Sequence, residues 1–432
     1  MKAANTLLFD DCGLGKTIQA IKAAARFPGP KLVICNKAAK LQWEDAIWEE
    51  LHTTGVVGGV VMSTGQAGRF EGAERAAKLL HTRANFWLVT HWAGARMDYK
   101  FLAKAFWDVI IADEAHKIRN RKAQTSLFVK QFLSRRKIAL TATPQEKSIA
   151  DMWSILNWLA PTMFKSYWQF FEEYVDYDTP MYGPRTVLGT RKDRATQIGE
   201  LLAPYTLGRT KAEVAPDLPP LIEPPTSVEL YQAHRELYTK LMKGSLTLPG
   251  SDEELFIPGQ LTKLLRAQQL ASDPEIFGIH TPNVKWDWVM DFLEGIHPDE
   301  STIIVTRFRT TAIRLAAHLK ASLLVGGAAP KDSLPPVLFL TGKTRVLVGT
   351  IGAMSESLNL QRAKYCICYD ITWSAGQMTQ VHNRIHRMDI TEPKFVYNLI
   401  AKDTVDVLIQ LAYLEKWTDQ KLVKEWLARG GE

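Results

Sequence analysis

The run Asp10-Asp11-Cys12-Gly13-Leu14-Gly15-Lys16-Thr17 carries the residue types that hold a polyphosphate. Gly13 and Gly15 let backbone N–H groups turn toward phosphate oxygens, and a helix beginning at Thr17 adds its positive end. Lys16 would reach the β- and γ-phosphates of a nucleoside triphosphate, and the Thr17 hydroxyl would hold Mg²⁺. The strict loop pattern wants Gly at position 10, where this chain has Asp. A second chemical pair, Asp113-Glu114, is followed by Ala115-His116. There Asp113 would join the Mg²⁺ shell and Glu114 would orient or deprotonate an attacking water. A third group lies in Gln380-Val381-His382-Asn383-Arg384-Ile385-His386-Arg387. The spacing predicts Arg384 and Arg387 on one helix face, with Gln380 one turn before Arg384. Guanidinium groups aimed at a γ-phosphate supply about 10³–10⁵ in rate, or about 4–7 kcal/mol of barrier. Singly, these are a glycine turn, a solvated acidic pair and a basic helix face; together they describe a phosphoryl-transfer site.

Such groups need a scaffold that brings loops to one edge. Thr6–Phe9 is apolar, and Trp107–Ala112 is an apolar run of the kind buried on both faces of a parallel sheet. Lys31–Cys35, Phe86–Val89 and Lys137–Leu140 read as further strands, with helical stretches between them. That βα order predicts a doubly wound parallel sheet, which binds ligands beyond its strands' C-terminal ends. From about 150 to 205 the pattern turns helical and aromatic, an inserted piece, and Pro216–Pro225 reads as a linker. The alternation resumes after a helical region at about 230–295. Its strands are Ser301–Thr306, Ser322–Val325, Thr344–Val348, Tyr365–Tyr369 and Lys394–Tyr397. The fold class is α/β, with one lobe over 1–225 and a second over 226–432. The second lacks a phosphate loop, so it would supply its groups across a cleft.

Composition sets the class. At 432 residues the chain is too long for one ordinary core, and its 46% hydrophobic and 23% charged residues are normal for globular proteins. No apolar stretch reaches the ~18 residues of a membrane span. Cys366 and Cys368 alternate along a strand-like segment, which suits packing better than metal ligation. The four scattered cysteines suit a reducing compartment, and the location expected is cytoplasmic, in a bacterial cell or phage-infected host. A formal charge of +7 permits nucleic-acid binding without requiring it.

The ordered motifs resemble those of the Swi/Snf-type branch of the superfamily 2 helicase-like ATPases. The first is Asp10-x-x-Gly-Leu-Gly-Lys-Thr-Ile-Gln-Ala-Ile21, then Asp113–Asn120, then Leu140-Thr141-Ala142-Thr143-Pro144. Met152–Asn157 resembles the helix that follows in the family, and Arg209-Thr210-Lys211-Ala212-Glu213-Val214 with Asp217–Pro220 is the branch signature. Leu358-Asn359-Leu360, Tyr369-Asp370, Trp373, Gln380, Arg384 and Arg387 match the later motifs in order. The resemblance implies two RecA-like lobes, each with a helical insertion. It also implies an ATP- and Mg²⁺-dependent ATPase that is stimulated by double-stranded DNA and moves along it without reading sequence. By family position, His116, Thr141 and Thr143 would couple nucleotide state to DNA. Trp92, Thr306, Arg307, Thr350, Asn359 and Trp373 would face DNA.

Two departures set further expectations. Only nine residues precede Asp10, which leaves no room for the upstream adenine-reading segment of relatives. Weak base selectivity, or a contact supplied by a partner chain, is therefore expected. Where relatives are Gly-rich, this chain has Gly352-Ala353-Met354-Ser355-Glu356-Ser357, which would set Glu356 near a DNA phosphate or the nucleotide. Two other functions stay open: a strand-separating DNA or RNA helicase, and a nucleotide-gated DNA-binding scaffold with little hydrolysis.

Overall fold

The computed structural model describes residues 5–54, 60–63, 85–145, 148–179, 185–250, 255, 257, 259–327, 329–355 and 359–415, with 422, 425, 426 and 428. The chain divides into two compact units, Met1–Pro216 and Asp217–Glu432.

The first unit carries strands β1 (Asn5–Leu8), β2 (Lys31–Cys35), β3 (Val60–Ser63), β4 (Phe86–His91), β5 (Phe106–Asp113), β6 (Leu133–Leu140), β7 (Val175–Asp178), β8 (Thr186–Thr190) and β9 (Thr206–Leu207). Seven of them form one parallel sheet in the order β3-β4-β2-β5-β6-β1-β9. The period-two rule places neighbouring residues on opposite faces. Leu8, Val33, Val89 and Ile111 pack with Ile21, Trp43 and Ile47 of the helices Lys16–Ala25 and Lys40–Thr54. Leu7, Ile34, Leu88 and Ile110 pack on the other face with Ile155 and Leu156 of the helix Ala150–Leu159. Both faces are therefore dry, which is why these strands read as continuous apolar runs.

The inserted region is only partly helical. Helices Ala150–Leu159, Tyr167–Tyr174 and Ala195–Leu202 are present, but β7 and β8 form an antiparallel hairpin between the last two. The Val-Asp-Tyr-Asp alternation of β7 spans four residues, too short to declare itself in a window dominated by aromatic helix.

The second unit carries β10 (Leu221–Ile222), β11 (Ser227–Val228), β12 (Thr302–Thr306), β13 (Ser322–Leu324), β14 (Val346–Thr350), β15 (Tyr365–Cys368), β16 (Lys394–Asn398) and β17 (Ile400–Ala401). Its six-stranded parallel sheet runs β10-β16-β15-β12-β14-β13. Helices Gln232–Lys243, Gln260–Ser272 and Val284–Gly295 precede β12, as the sequence predicts. The Pro-rich stretch taken as a linker is instead part of this unit. Leu221–Ile222 pairs with β16, and the His386 ring meets the Pro219 carbonyl at 2.7 Å. Proline serves there because an edge strand leaves backbone positions unpaired on one side. Cys366 and Cys368 are fully buried on one side of β15, 3.8 Å apart at sulfur, as packing residues. No helix among the described residues is long and apolar enough to cross a membrane.

Candidate functional site

The C-terminal ends of β1, β5 and β6 converge in the first unit. β1 leads into the phosphate loop, where Gly13 (φ 91°) and Gly15 (φ 73°) both adopt the left-handed region that glycine enters freely. The helix starts at Lys16, with Gly15 as its N-cap. Lys16 Nζ donates to the carbonyls of Asp10 (2.6 Å) and Asp11 (3.1 Å), folding back over the loop it belongs to. Thr17 is partly exposed on the first turn.

Asp10, the residue that departs from the strict loop pattern, is 0% exposed. Its carboxylate accepts from Arg209 Nε (3.2 Å), from a terminal Arg209 nitrogen, and from Gln19 Nε2 (3.0 Å). Arg209 also donates to Gln19 Oε1 at 2.7 Å. The Lys211 N–H donates to the Asp11 carboxylate (2.9 Å), and the Asp11 N–H to the Arg209 carbonyl (2.9 Å). These contacts exist because β9 lies beside β1 and carries residues 205–211 along the loop. The branch signature is thus a wall of the phosphate loop, capped at its far end by the reciprocal Thr210–Glu213 box.

β5 ends on Asp113. Its Oδ2 accepts from Trp43 Nε1 at 2.9 Å and its Oδ1 from the Glu114 N–H at 3.0 Å. Burial, then the neighbouring Glu114 carboxylate, push Asp113 up to about 6 against those hydrogen bonds. Glu114 sits at φ 53°, ψ 51°, a left-handed conformation adopted by three non-glycine residues among those described. Strain of this kind collects at working sites. His116 Nδ1 lies 3.2 Å from Glu114 Oε2. Thr141, 1% exposed, receives the Thr143 N–H on its hydroxyl (3.2 Å) and donates its own N–H to the Leu8 carbonyl (3.2 Å). Thr143 stays partly exposed. Trp92 requires a correction. It is 7% exposed, and its indole donates to the Asp113 carbonyl at 3.1 Å. It begins the helix Trp92–Met97 and braces Asp113 from the core, its indole turned inward rather than to the surface.

A triphosphate with its cation fits this donor set. Glycines at positive φ open the loop, Lys16 is held at its rim by two carbonyls that an anion can replace, and a partly exposed hydroxyl lies on the same turn. Asp113, with its carboxyl raised toward neutrality, is a group whose ionised form a cation would favour.

In the second unit, Gln380 and Arg384 lie on the helix Ala375–Ile385. Arg384 donates to the Ser355 carbonyl (2.6 Å), and the Leu360 N–H donates to the Arg384 carbonyl (3.1 Å). Arg387 does not share that helix face. The helix stops at Ile385 because His386, its cap, turns to φ −105°, ψ 87° and anchors its ring at Pro219. Thr306 also differs from expectation. It is 0% exposed and donates its hydroxyl to Asp370, just beyond β15, so its side chain is committed to the core of the unit. Arg307 donates its N–H to the same carboxylate (3.2 Å), stacks over Trp373 at 4.1 Å and donates to Gln268. Thr350 is half-buried at the end of β14, and Asn359 is exposed, its side chain capping the Gln361 N–H. Glu356 lies outside the described residues.

Residues that sequence reasoning did not assign support both units. Arg209, Gln19 and Trp43 hold the first. In the second, Lys285 is 0% exposed and reaches Asp406 at 2.7 Å and Asp370 at 3.7 Å. A charged residue inside an apolar helical run, Val284-Lys-Trp-Asp-Trp-Val, was the available signal.

The SNF2-related domain model matches residues 1–276, and the Helicase conserved C-terminal domain model matches residues 284–389. Human SWI/SNF-related matrix-associated actin-dependent regulator of chromatin subfamily A member 1 is 24% identical over 93% of this chain and 40% of its own length. An uncharacterized ATP-dependent helicase of Mycoplasma pneumoniae is 25% identical over 98% of this chain and 40% of its own. The chain thus spans about 40% of the length of these relatives. The solved Sulfolobus solfataricus SWI2/SNF2 ATPase core in complex with dsDNA covers 99% of this chain and 89% of its own, at 24% identity and a TM-score of 0.42.

Proposed function

Since the chain belongs to the SNF2-related family of helicase-like ATPases, we propose that it hydrolyses ATP and couples the hydrolysis to movement along double-stranded DNA, independently of sequence. The observation that carries this reading is the meeting of a glycine-built anion loop and a braced acidic pair at one edge of one sheet. When bound, Mg²⁺-ATP supplies the transferable phosphoryl group and the cation that neutralises it. Lys16 and the loop N–H groups bind and orient the phosphates, and Thr17 with Asp113 would hold the cation. Trp43 and Trp92 fix Asp113, and Glu114, beside it, would orient the attacking water and accept its proton. Arg384 and Arg387 would supply charge from the second unit, and Gln380 a neutral amide donor. Arg307 and Trp373, stacked together, and the polar Thr350 and Asn359 are the groups left to contact a DNA backbone.

Phosphate release by the full chain, with and without duplex DNA, tests the proposal. Duplex should raise turnover by an order of magnitude or more. Glu114→Gln should abolish turnover while ATP still binds. No release in either condition would favour the scaffold reading, and displacement of a strand from a simple duplex would favour the helicase reading.

A further inference from the structure

The first unit holds a second concave site, none of whose lining residues belongs to the phosphate loop or the acidic pair. It is a cavity of about 370 Å³. Arg119, Arg121 and Lys122 line it from the loop that follows the short turn Ala115–Ile118, while Asp151, Ser154 and Tyr167 line it from the two helices after β6. The lining charge is three cations against one carboxylate.

Two observations point to an anion. Ser154 is 1% exposed, and its hydroxyl has no hydrogen-bond partner among the described residues. A buried hydroxyl that lines an open cavity and stays unsatisfied is a donor waiting for a ligand or water oxygen. The Arg121 guanidinium lies over the Tyr167 ring at 4.2 Å and 5.7 Å from the centre of Trp168. This contact holds the Arg121 guanidinium against the aromatic cluster beside the cleft, and a guanidinium is the side-chain cation best matched to a phosphate. Trp168 is itself 54% exposed and carries Arg185 as well, at 5.8 Å. The aromatic cluster is therefore a platform for cations at the surface, not an overflow of the core. The basic run that follows the hairpin differs. Arg191 is spent on Asp193 and Arg194 on Gln197.

We propose that this cleft binds a backbone phosphate of the nucleic acid, with Arg121 and Lys122 as the ligating cations and Ser154 as a hydroxyl donor. The proposal rests on the DNA-translocase reading. The cavity is large enough to admit one phosphodiester with its sugar. The cationic loop begins one short turn after Glu114, so filling the cleft would steady the segment that sets the water-orienting carboxylate.

The test uses the full chain and a short duplex, with affinity measured across a salt series. Each phosphate contact contributes a slope of about 0.9, or about 8-fold in affinity at 0.1 M salt. Arg121→Gln with Lys122→Gln should lower the slope by about 1 and weaken binding about 8-fold, with ATPase activity in the absence of DNA unchanged. Arg121→Lys with Lys122→Arg should keep the slope. In the unaltered protein, duplex should protect Lys122 from acetylation. Duplex binding with Lys122 still reactive and the slope unaltered would overturn this inference and leave the translocase reading standing. No duplex binding at all would overturn both. Protection by millimolar inorganic phosphate or by an acidic peptide, but not by duplex, would reassign the cleft to that ligand.

Discussion

Removing Arg209 should damage the protein more than removing the carboxylate it holds. Asp10 is 0% exposed, whereas the Arg209 side chain is 41% exposed. In Arg209→Gln the buried carboxylate keeps only Gln19 and whatever the new amide offers. Breaking a fully buried pair costs about 3–5 kcal/mol. Half-exposure of the arginine means water already screens part of the attraction, which brings the loss to about 2–3 kcal/mol. In Asp10→Asn the freed guanidinium can turn to water and the amide still accepts a hydrogen bond, so the loss should stay below about 1 kcal/mol. For a unit of this size, Arg209→Gln would lower the unfolding midpoint of the first unit by about 4–12 °C. Scanning fluorimetry of both single variants and the double variant reads this directly, and ATP binding should weaken in parallel as the loop loosens. The double variant should be more stable than Arg209→Gln alone, because it no longer buries an unpaired charge. Equal losses in the two single variants, or strict additivity in the double, would refute the reasoning.

Glu114→Gly should relieve the left-handed backbone and stabilise the first unit by about 0.5–1 kcal/mol while abolishing turnover; a denaturant midpoint and a phosphate-release assay check both halves. Asp113 contributes a pH dependence. Its folded value, about 6, lies above the ordinary carboxylate value of 3.8, so its contribution is fully present below that ordinary value and lost as pH rises through about 6. Asp113→Asn should therefore be more stable than the unaltered protein at pH 8, without nucleotide or Mg²⁺, by about 1–3 kcal/mol, with the gap closing below pH 5; chemical denaturation at both pH values measures it. Lys285→Met should destabilise the second unit by about 3–5 kcal/mol, since it strands Asp370 and Asp406 in the core. Adding Asp406→Asn should recover part of that loss in the same unfolding experiment.

The central strands of both sheets were legible because they are buried on both faces and read as apolar runs, whereas the short edge strands β3, β9 and β10 were not. Lys31–Cys35 and Thr302–Thr306 are buried throughout. The phosphate loop and the acidic pair were legible because their chemistry is local: glycines beside a lysine, carboxylates at a strand end. What stayed hidden depends on chain segments far apart. Asp10 looked like a defect in the loop until Arg209 appeared beside it, 199 positions away. Trp92 and Thr306 were placed at a nucleic-acid surface by family position, yet an indole N–H and a hydroxyl can equally satisfy buried acceptors, and here they do. The end of the helix before Arg387 was also invisible. Nothing in His382-Asn-Arg-Ile-His386 breaks a helix locally; the anchor at Pro219 does.

The position of β9 against β1 governs how this protein can be made. The glycine loop leaves the ribosome well ahead of the strand and arginine that complete it, which are synthesised about 199 residues later. At 5–20 residues per second, that is a delay of about 10–40 s. During that interval the first strand has an open edge and Asp10 has no countercharge. The phosphate loop is therefore made early and closed late relative to the rest of its sheet, and a chaperone or a translational pause would matter most just before residue 209 emerges.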